Sequence, residues 1–67
     1  MSSIAKIIEL SADSEKSFED ALQTGIIRAN ETLRNVRSVW IKDHEVYVEQ
    51  GRPKLYRLHL KVTFQVD

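Results

Sequence analysis

The segment Tyr56-Arg57-Leu58-His59-Leu60-Lys61-Val62-Thr63-Phe64-Gln65-Val66 alternates between apolar and polar side chains along its whole length. Alternation with a period of two is typical of a β-strand that buries one face. The buried face is predicted to consist of Tyr56, Leu58, Leu60, Val62, Phe64 and Val66. The segment therefore predicts a strand with one apolar face against another layer and one polar face turned away from it.

The residues before this strand predict a β-hairpin. The segment Glu49-Gln50-Gly51-Arg52-Pro53-Lys54 has the composition of a turn. Ahead of it, Val39 and Ile41 alternate with other residues, Trp40 among them, and strand character continues through Val48. Strands joined by a short turn pair in the antiparallel sense.

A helix is predicted between this hairpin and the start of the chain. Apolar residues recur at intervals of three and four, which forms one continuous stripe on a helix. The stripe consists of Phe18, Ala21, Leu22, Gly25, Ile26, Ala29, Leu33 and Val36. Ser14 is the predicted N-cap, with Glu15 favourably placed at the positive end of the helix. Gly25 costs about 1 kcal/mol relative to alanine, so either the helix lies close to a sheet there or the glycine is simply tolerated.

The first segment, Ile4 to Leu10, is short, β-branched and apolar, and predicts a further strand. The predicted order is therefore β-α-β-β. It corresponds to an α+β fold in which one helix packs on one face of a three-stranded antiparallel sheet. Residues 1–67 form a single domain.

Composition limits the function as well as the fold. A chain of 67 residues buries too small a core for much stability, and it has no cysteine and only two histidines. Disulfides and a zinc site from one chain are thus excluded, and oligomerisation is the expected source of stability. Ten basic and ten acidic residues give zero net charge, which argues against nucleic-acid binding. No signal peptide or membrane span is evident, so a cytoplasmic location is expected.

Several stretches together resemble the dodecin family. They are Ile7-Ile8-Glu9-Leu10, the polar turn ending in Ser14, the run Arg28-Ala29-x-x-Thr32-Leu33-Arg34-Asn35-Val36, and the alternating strand that begins at Tyr56. The resemblance covers essentially the whole chain. It implies a β-α-β-β subunit, a hollow homododecamer, and binding of a flavin (riboflavin or FMN).

The resemblance also places a ligand site. Flavin-binding dodecins stack the flavin on a tryptophan early in the second strand and bind its edge with a glutamine in the third. This chain has Ser38 and Arg57 at those positions, and Trp40 lies two residues beyond Ser38 on the same face of the strand. The predicted ligand-binding residues are therefore Ser38, Trp40 and Arg57, with Trp40 stacking on the ligand. The alternatives are a Trp40 packed at a subunit interface and an Arg57 paired with an acidic residue of a neighbouring subunit.

Acidic residues of the second strand suggest a cation site. Asp43, Glu45 and Glu49 are predicted to form an acidic side opposite the basic face of the sheet. Carboxylates repeated around a symmetry axis provide the oxygen ligands that calcium and magnesium prefer. The alternative is a solvated strand edge that resists unwanted pairing.

Three basic residues on the helix side, Lys6, Arg28 and Arg34, are the remaining candidates. The resemblance implies an anionic cofactor such as coenzyme A on this outer surface, as in some dodecins; solvated charges are the alternative.

No catalytic motif accompanies these candidates. The sequence has no serine-histidine-acid spacing and no glycine-rich phosphate loop. His59, between Arg57 and Lys61, is expected to be a surface residue. The function predicted is binding and storage of a small ligand without catalysis. The alternative is a flavin-free assembly with a structural or cation-binding role.

Overall fold

The structure is a computed structural model and describes residues 4–66. It contains strand β1 (Ala5–Ser14), helix α1 (Phe18–Thr32) and strands β2 (Val36–Glu49) and β3 (Arg52–Gln65). The three strands form one antiparallel sheet in the order β1-β3-β2. The predicted β-α-β-β architecture is confirmed.

The alternating strand β3 lies at the centre of the sheet and supplies most of the core. Leu58, Leu60 and Val62 are each 1% exposed, and Ala21 and Ala29 of α1 are buried against them. The intervening residues of β3 face away from α1. The period of two in the sequence thus identifies the buried face correctly except at Val66, which lies beyond the end of β3 and is 53% exposed.

Helix α1 lies unusually close to the sheet at Gly25. A Cβ atom at this position would lie 3.0 Å from the Cβ of Ala12 and 3.3 Å from Cδ1 of Leu60. Both distances are shorter than ordinary contacts between carbon atoms. Of the two interpretations of this glycine, the close approach to the sheet is the one the structure confirms.

The prediction that Ser14 is the helix N-cap is wrong. The N-cap is Ser17, whose hydroxyl accepts the backbone N–H of Asp20 at 3.0 Å. Strand β1 continues past the predicted end at Leu10, because it pairs with β3 as far as Ser14. Ser14 is 7% exposed; its hydroxyl donates to Asp20 Oδ2 at 2.7 Å and accepts the backbone N–H of Lys16 at 2.9 Å. It therefore joins the end of β1 to the first turn of α1.

The helix also ends earlier than the apolar stripe predicts. Leu33 is the C-cap, Asn35 adopts the left-handed conformation (φ 55°), and Val36 is the first residue of β2. Leu33 and Val36 still pack against the core. The stripe is correct about packing and wrong about secondary structure at these two positions.

A β-bulge changes the facing of β2 between Ile41 and Asp43. Beyond it, Asp43 pairs with His59, and Glu45 pairs with Arg57. Paired residues of antiparallel strands project to the same face. The prediction of an acidic side opposite the basic face is therefore wrong, because the extra residue in β2 brings Asp43 and Glu45 onto the basic face.

The subunit is elongated, with extents of 53 × 19 × 13 Å and a radius of gyration of 13.8 Å, against about 11 Å for a compact domain of this length. A 15-residue helix spans roughly 22 Å, whereas a 14-residue strand spans roughly 46 Å. α1 thus leaves much of the β2–β3 hairpin uncovered, and residues 42–54 are all exposed. Within residues 4–66, no helix is long and apolar enough to cross a membrane.

Candidate ligand-binding face

The sheet face that points away from α1 carries most of the polar chemistry of the subunit, and we call it the open face. Rows of paired residues cross it from β1 through β3 to β2. The rows are Glu9–Lys61–Trp40, Ser11–His59–Asp43 and Asp13–Arg57–Glu45. Each row brings acidic and basic or polar groups together across the three strands.

Trp40 is the exposed aromatic residue at one end of this face. Its side chain is 66% exposed, although tryptophan is a large and mostly apolar residue. The Nζ atom of Lys61 lies 5.2 Å from the centroid of the indole, within the range of a cation–π interaction. Ser38 occupies the neighbouring row, opposite Thr63. Ser38 and Trp40 therefore lie side by side, as the sequence predicts.

Arg57 is held by residues of its own chain. Its Nε and Nη2 atoms donate to the two carboxylate oxygens of Asp13 at 2.7 and 2.9 Å. Its Nη1 atom donates to the hydroxyl of Tyr47 at 2.6 Å. The hydrogen bond to Asp13 raises the pKa of Arg57 and, from the other side, lowers the pKa of Asp13. Within the described chain the acidic partner of Arg57 is therefore Asp13, and pairing of Arg57 with an acidic residue of a neighbouring subunit stays a prediction.

Two further pairs connect the strands. Lys42 Nζ lies 3.1 Å from Glu9 Oε1, and this hydrogen bond lowers the pKa of Glu9. His59 Nε2 lies 3.2 Å from Glu45 Oε1. All four side chains are substantially exposed, so water screens both pairs and neither contributes much to stability. Their main effect is to fix the positions of charged groups on the open face.

A shallow cleft of about 290 Å³ lies among these pairs. It is lined by Glu9, Leu10, Ser11, Lys42, Asp43, Arg57, His59 and Leu60. Trp40 does not line the cleft, but it lies in the same row of the sheet as Glu9, which does. A planar ligand stacked on the indole would have the charged groups of Lys61 and Glu9 in the same row, and the cleft would lie beyond them.

Trp40 and Arg57 do not meet within one chain. Arg57 lies four residues along β3 from Lys61, which faces Trp40, a distance of roughly 13 Å along the strand. A ligand on Trp40 must extend across the cleft to reach Arg57 of the same subunit.

The predicted metal ligands are partly brought together. Asp43 and Glu45 share the open face, whereas Glu49 pairs with Arg52 beside the hairpin turn. Among residues 4–66, no group of three histidine, aspartate or glutamate side chains could hold a metal ion. The described structure thus brings two of the three predicted ligands to one face, and the metal site stays a prediction.

The predicted basic cluster is dispersed over the helix side. Lys6, Arg28 and Arg34 are all exposed. Arg28 lines a groove of about 440 Å³ between β1 and α1, and neither Lys6 nor Arg34 lines it. The role of these residues toward an anionic cofactor remains a prediction.

Sequence reasoning missed two features of the open face. One is the Asp13–Arg57–Tyr47 group, and the other is the position of Lys61 over Trp40. A β1 strand drawn to its true end would have placed Asp13 opposite Arg57. The contact of Lys61 with Trp40 depends on the register of β2, for which the sequence carries no comparable signal.

Comparison with known proteins assigns the family. The dodecin family model matches residues 4–67. A dodecin of Thermus thermophilus is 30% identical over 67 residues, which are the whole of this chain and 97% of that protein. The chain therefore belongs to the dodecin family.

Solved structures agree with this assignment. A crystal structure of a mutant of the Thermus thermophilus dodecin has a TM-score of 0.92 at 29% identity, and the match covers 98% of both chains. The dodecin of Streptomyces davaonensis shares the fold, with a TM-score of 0.93, 21% identity, and coverage of 100% of this chain and 98% of that one. A calcium-chelating dodecin from Mycobacterium tuberculosis has a TM-score of 0.84 at 25% identity, with 97% and 93% covered.

Proposed function

We propose that this dodecin assembles as a homododecameric shell that binds and sequesters a planar aromatic ligand on Trp40, with riboflavin or FMN as the expected ligand. The observation that carries the proposal is the indole of Trp40, which is 66% exposed on the open face next to the ammonium of Lys61. The proposed activity is binding without turnover.

Stacking is the interaction that the open face offers most directly. An aromatic ring placed on an exposed indole buries apolar surface on both partners and gains about 0.5–1.5 kcal/mol beyond that burial. The neighbouring hydroxyl of Ser38 can bind the ring edge. Arg57 uses three of its N–H groups on Asp13 and Tyr47, and a guanidinium has five. Two therefore remain for a ligand that spans the cleft.

The shape of the subunit supports assembly. Trp40, Tyr47 and Val48 are between 43% and 66% exposed on β2, and the described residues leave them uncovered. Burying one large apolar side chain contributes about 1.5–3 kcal/mol, which matters in a domain of this size. Closed symmetry repeats that gain in each subunit.

Fluorescence titration tests the ligand proposal. Riboflavin and FMN are titrated into the purified protein, and quenching of flavin emission is recorded for the wild type, Trp40→Leu and Tyr47→Leu. Both variants remove an aromatic ring from the open face, at opposite ends of the cleft. We expect Trp40→Leu to abolish quenching and Tyr47→Leu to retain it. Equal binding by the wild type and Trp40→Leu would contradict the proposal.

Native mass spectrometry tests the assembly. We expect a species with the mass of twelve chains and no folded monomer at micromolar concentration. A folded species of monomer mass that melts cooperatively would refute the shell.

A second candidate function is the binding of calcium or magnesium. It is favoured by the two carboxylates of Asp43 and Glu45 on one face and by the similarity to the calcium-chelating dodecin. Glu49 of an adjacent subunit is the proposed third ligand. We expect calcium to raise the melting temperature of the wild type and not of Asp43→Asn. No difference between calcium and a chelator would exclude this function.

A further inference from the structure

Lys61 differs from the basic side chains that line the cleft of the open face. Lys42 is paired with Glu9, Arg57 with Asp13, and His59 with Glu45. Among residues 4–66, no carboxylate lies within ion-pair distance of the Lys61 ammonium. Its close contact is the ring of Trp40. Lys61 is therefore a cation whose hydrogen-bond donors are not used by the part of the chain that the structure describes.

The position of this ammonium matters for any ligand on the indole. At 5.2 Å from the ring centroid, it lies close enough to contact a molecule stacked on Trp40. A neutral ligand that takes the indole face displaces the ammonium from its cation–π contact and offers no charge in return. A ligand with an anionic group replaces that contact with a charge-assisted hydrogen bond, which is stronger than one between neutral groups.

We infer that Lys61 determines the specificity of the Trp40 site and selects planar aromatic ligands that carry an anionic group. The inference rests on the proposed stacking role of Trp40, and it adds the charge class of the ligand and the residue that selects it. Glu9 does not oppose an incoming anion strongly, because its carboxylate is already paired with Lys42.

Riboflavin and FMN form a matched pair of probes, since they share one ring system and differ by a phosphate. Dissociation constants for both are measured by quenching with the wild type, Lys61→Gln and Lys61→Arg. Lys54→Gln is the control, because it removes the same charge from the exposed hairpin, away from Trp40. Lys61→Met retains the aliphatic stem and replaces Lys61→Gln if the amide variant assembles poorly.

The expected result is a preference of the wild type for FMN of roughly fivefold, the upper range for an exposed charge pair. Lys61→Gln should bind the two flavins about equally, while Lys61→Arg and Lys54→Gln keep the preference. Raising the salt from about 0.01 M to about 1 M shortens the screening length from roughly 30 Å to roughly 3 Å, so the wild-type preference should shrink accordingly.

The outcomes separate this inference from the proposed function. If both flavins bind through Trp40 but Lys61→Gln leaves their ratio unchanged, the selective role of Lys61 is refuted and the stacking role of Trp40 stands. If neither flavin binds, or Trp40→Leu binds both, the proposed function fails and the inference fails with it.

Discussion

Replacing Gly25 by alanine tests how closely the helix lies against the sheet. The added methyl group would lie 3.0 Å from Ala12 Cβ and 3.3 Å from Leu60 Cδ1. The Leu60 contact is with the end of a flexible side chain. Ala12 Cβ, in contrast, is fixed to the backbone of β1, which is paired with β3 at Leu58. Relief of that contact therefore requires the helix or the strand to move.

Two opposing effects determine the size of the change. Alanine stabilises a helix interior by about 1 kcal/mol relative to glycine. Overpacking of a core costs typically 1–3 kcal/mol, and the upper part of this range applies because carbon atoms prefer separations of about 3.5–4.0 Å. We expect Gly25→Ala to lower the free energy of unfolding by about 1–2 kcal/mol. For a domain of this size, 1 kcal/mol corresponds to a shift in melting temperature of roughly 4–8 °C.

Thermal melting at a fixed protein concentration measures the effect, since assembly makes the melting temperature depend on concentration. Asn30→Ala is the matched control, because it changes helix propensity at an exposed position of α1, and it should raise the melting temperature slightly. The double variant Gly25→Ala/Ala12→Gly should show a favourable coupling energy, because it removes the Cβ–Cβ contact. A single Gly25→Ala variant that melts higher than the wild type would refute the close packing.

Three further predictions concern other contacts. The hydrogen bond from Arg57 holds the pKa of Asp13 below its ordinary value of 3.8. The stabilisation of the fold by this carboxylate is therefore complete above pH 3.8 and is lost as the pH falls through the lowered pKa. The melting temperature of Asp13→Asn should consequently depend less on pH in this acidic range than that of the wild type. Ser17→Ala removes the N-cap and should cost about 1 kcal/mol in chemical denaturation, whereas Ser17→Asp should cost little; equal losses in both would contradict the capping role. Arg57→Glu places a second carboxylate against Asp13 and should weaken folding and assembly together. An assembly that stays intact in native mass spectrometry, with an unchanged melting temperature in a thermal scan, would refute the stabilising role of the Arg57–Asp13 pair.

The core and the architecture follow from the sequence because each depends on a periodic signal. Leu58, Leu60 and Val62 alternate with polar residues in β3, and this pattern identifies the buried face without knowledge of the partner strands. The spacing of Ala21 and Ala29 identifies the helix face that meets them. Hydrophobic burial is roughly proportional to apolar area and independent of direction, so the pattern of apolar residues alone carries this information.

The chemistry of the open face does not follow from the sequence in the same way. It depends on register, and one bulge between Ile41 and Asp43 moves Asp43 and Glu45 to the other face of β2. A shift of one residue reverses the facing of every side chain beyond it. The end of β1 matters in the same way. Three of the four residues 11–14 are polar, which indicates a loop by composition, yet the segment pairs with β3 and places Asp13 beside Arg57.

The same register explains why Trp40 is the functional candidate of this face. Three pairs, Arg57–Asp13, Lys42–Glu9 and His59–Glu45, connect the strands and use most of the charged groups. Groups that are paired within the subunit must give up those partners before they bind a ligand, and the lost interactions offset part of the gain. Trp40 and Lys61 form no ion pair or hydrogen bond of this kind within the described residues, and besides their mutual contact Lys61 has only a weaker electrostatic interaction with Glu9 in the same row. Selective binding is therefore expected where an exposed aromatic ring lies beside a cation that has no ion-pair partner. In the described chain this is the row that contains Trp40 and Lys61.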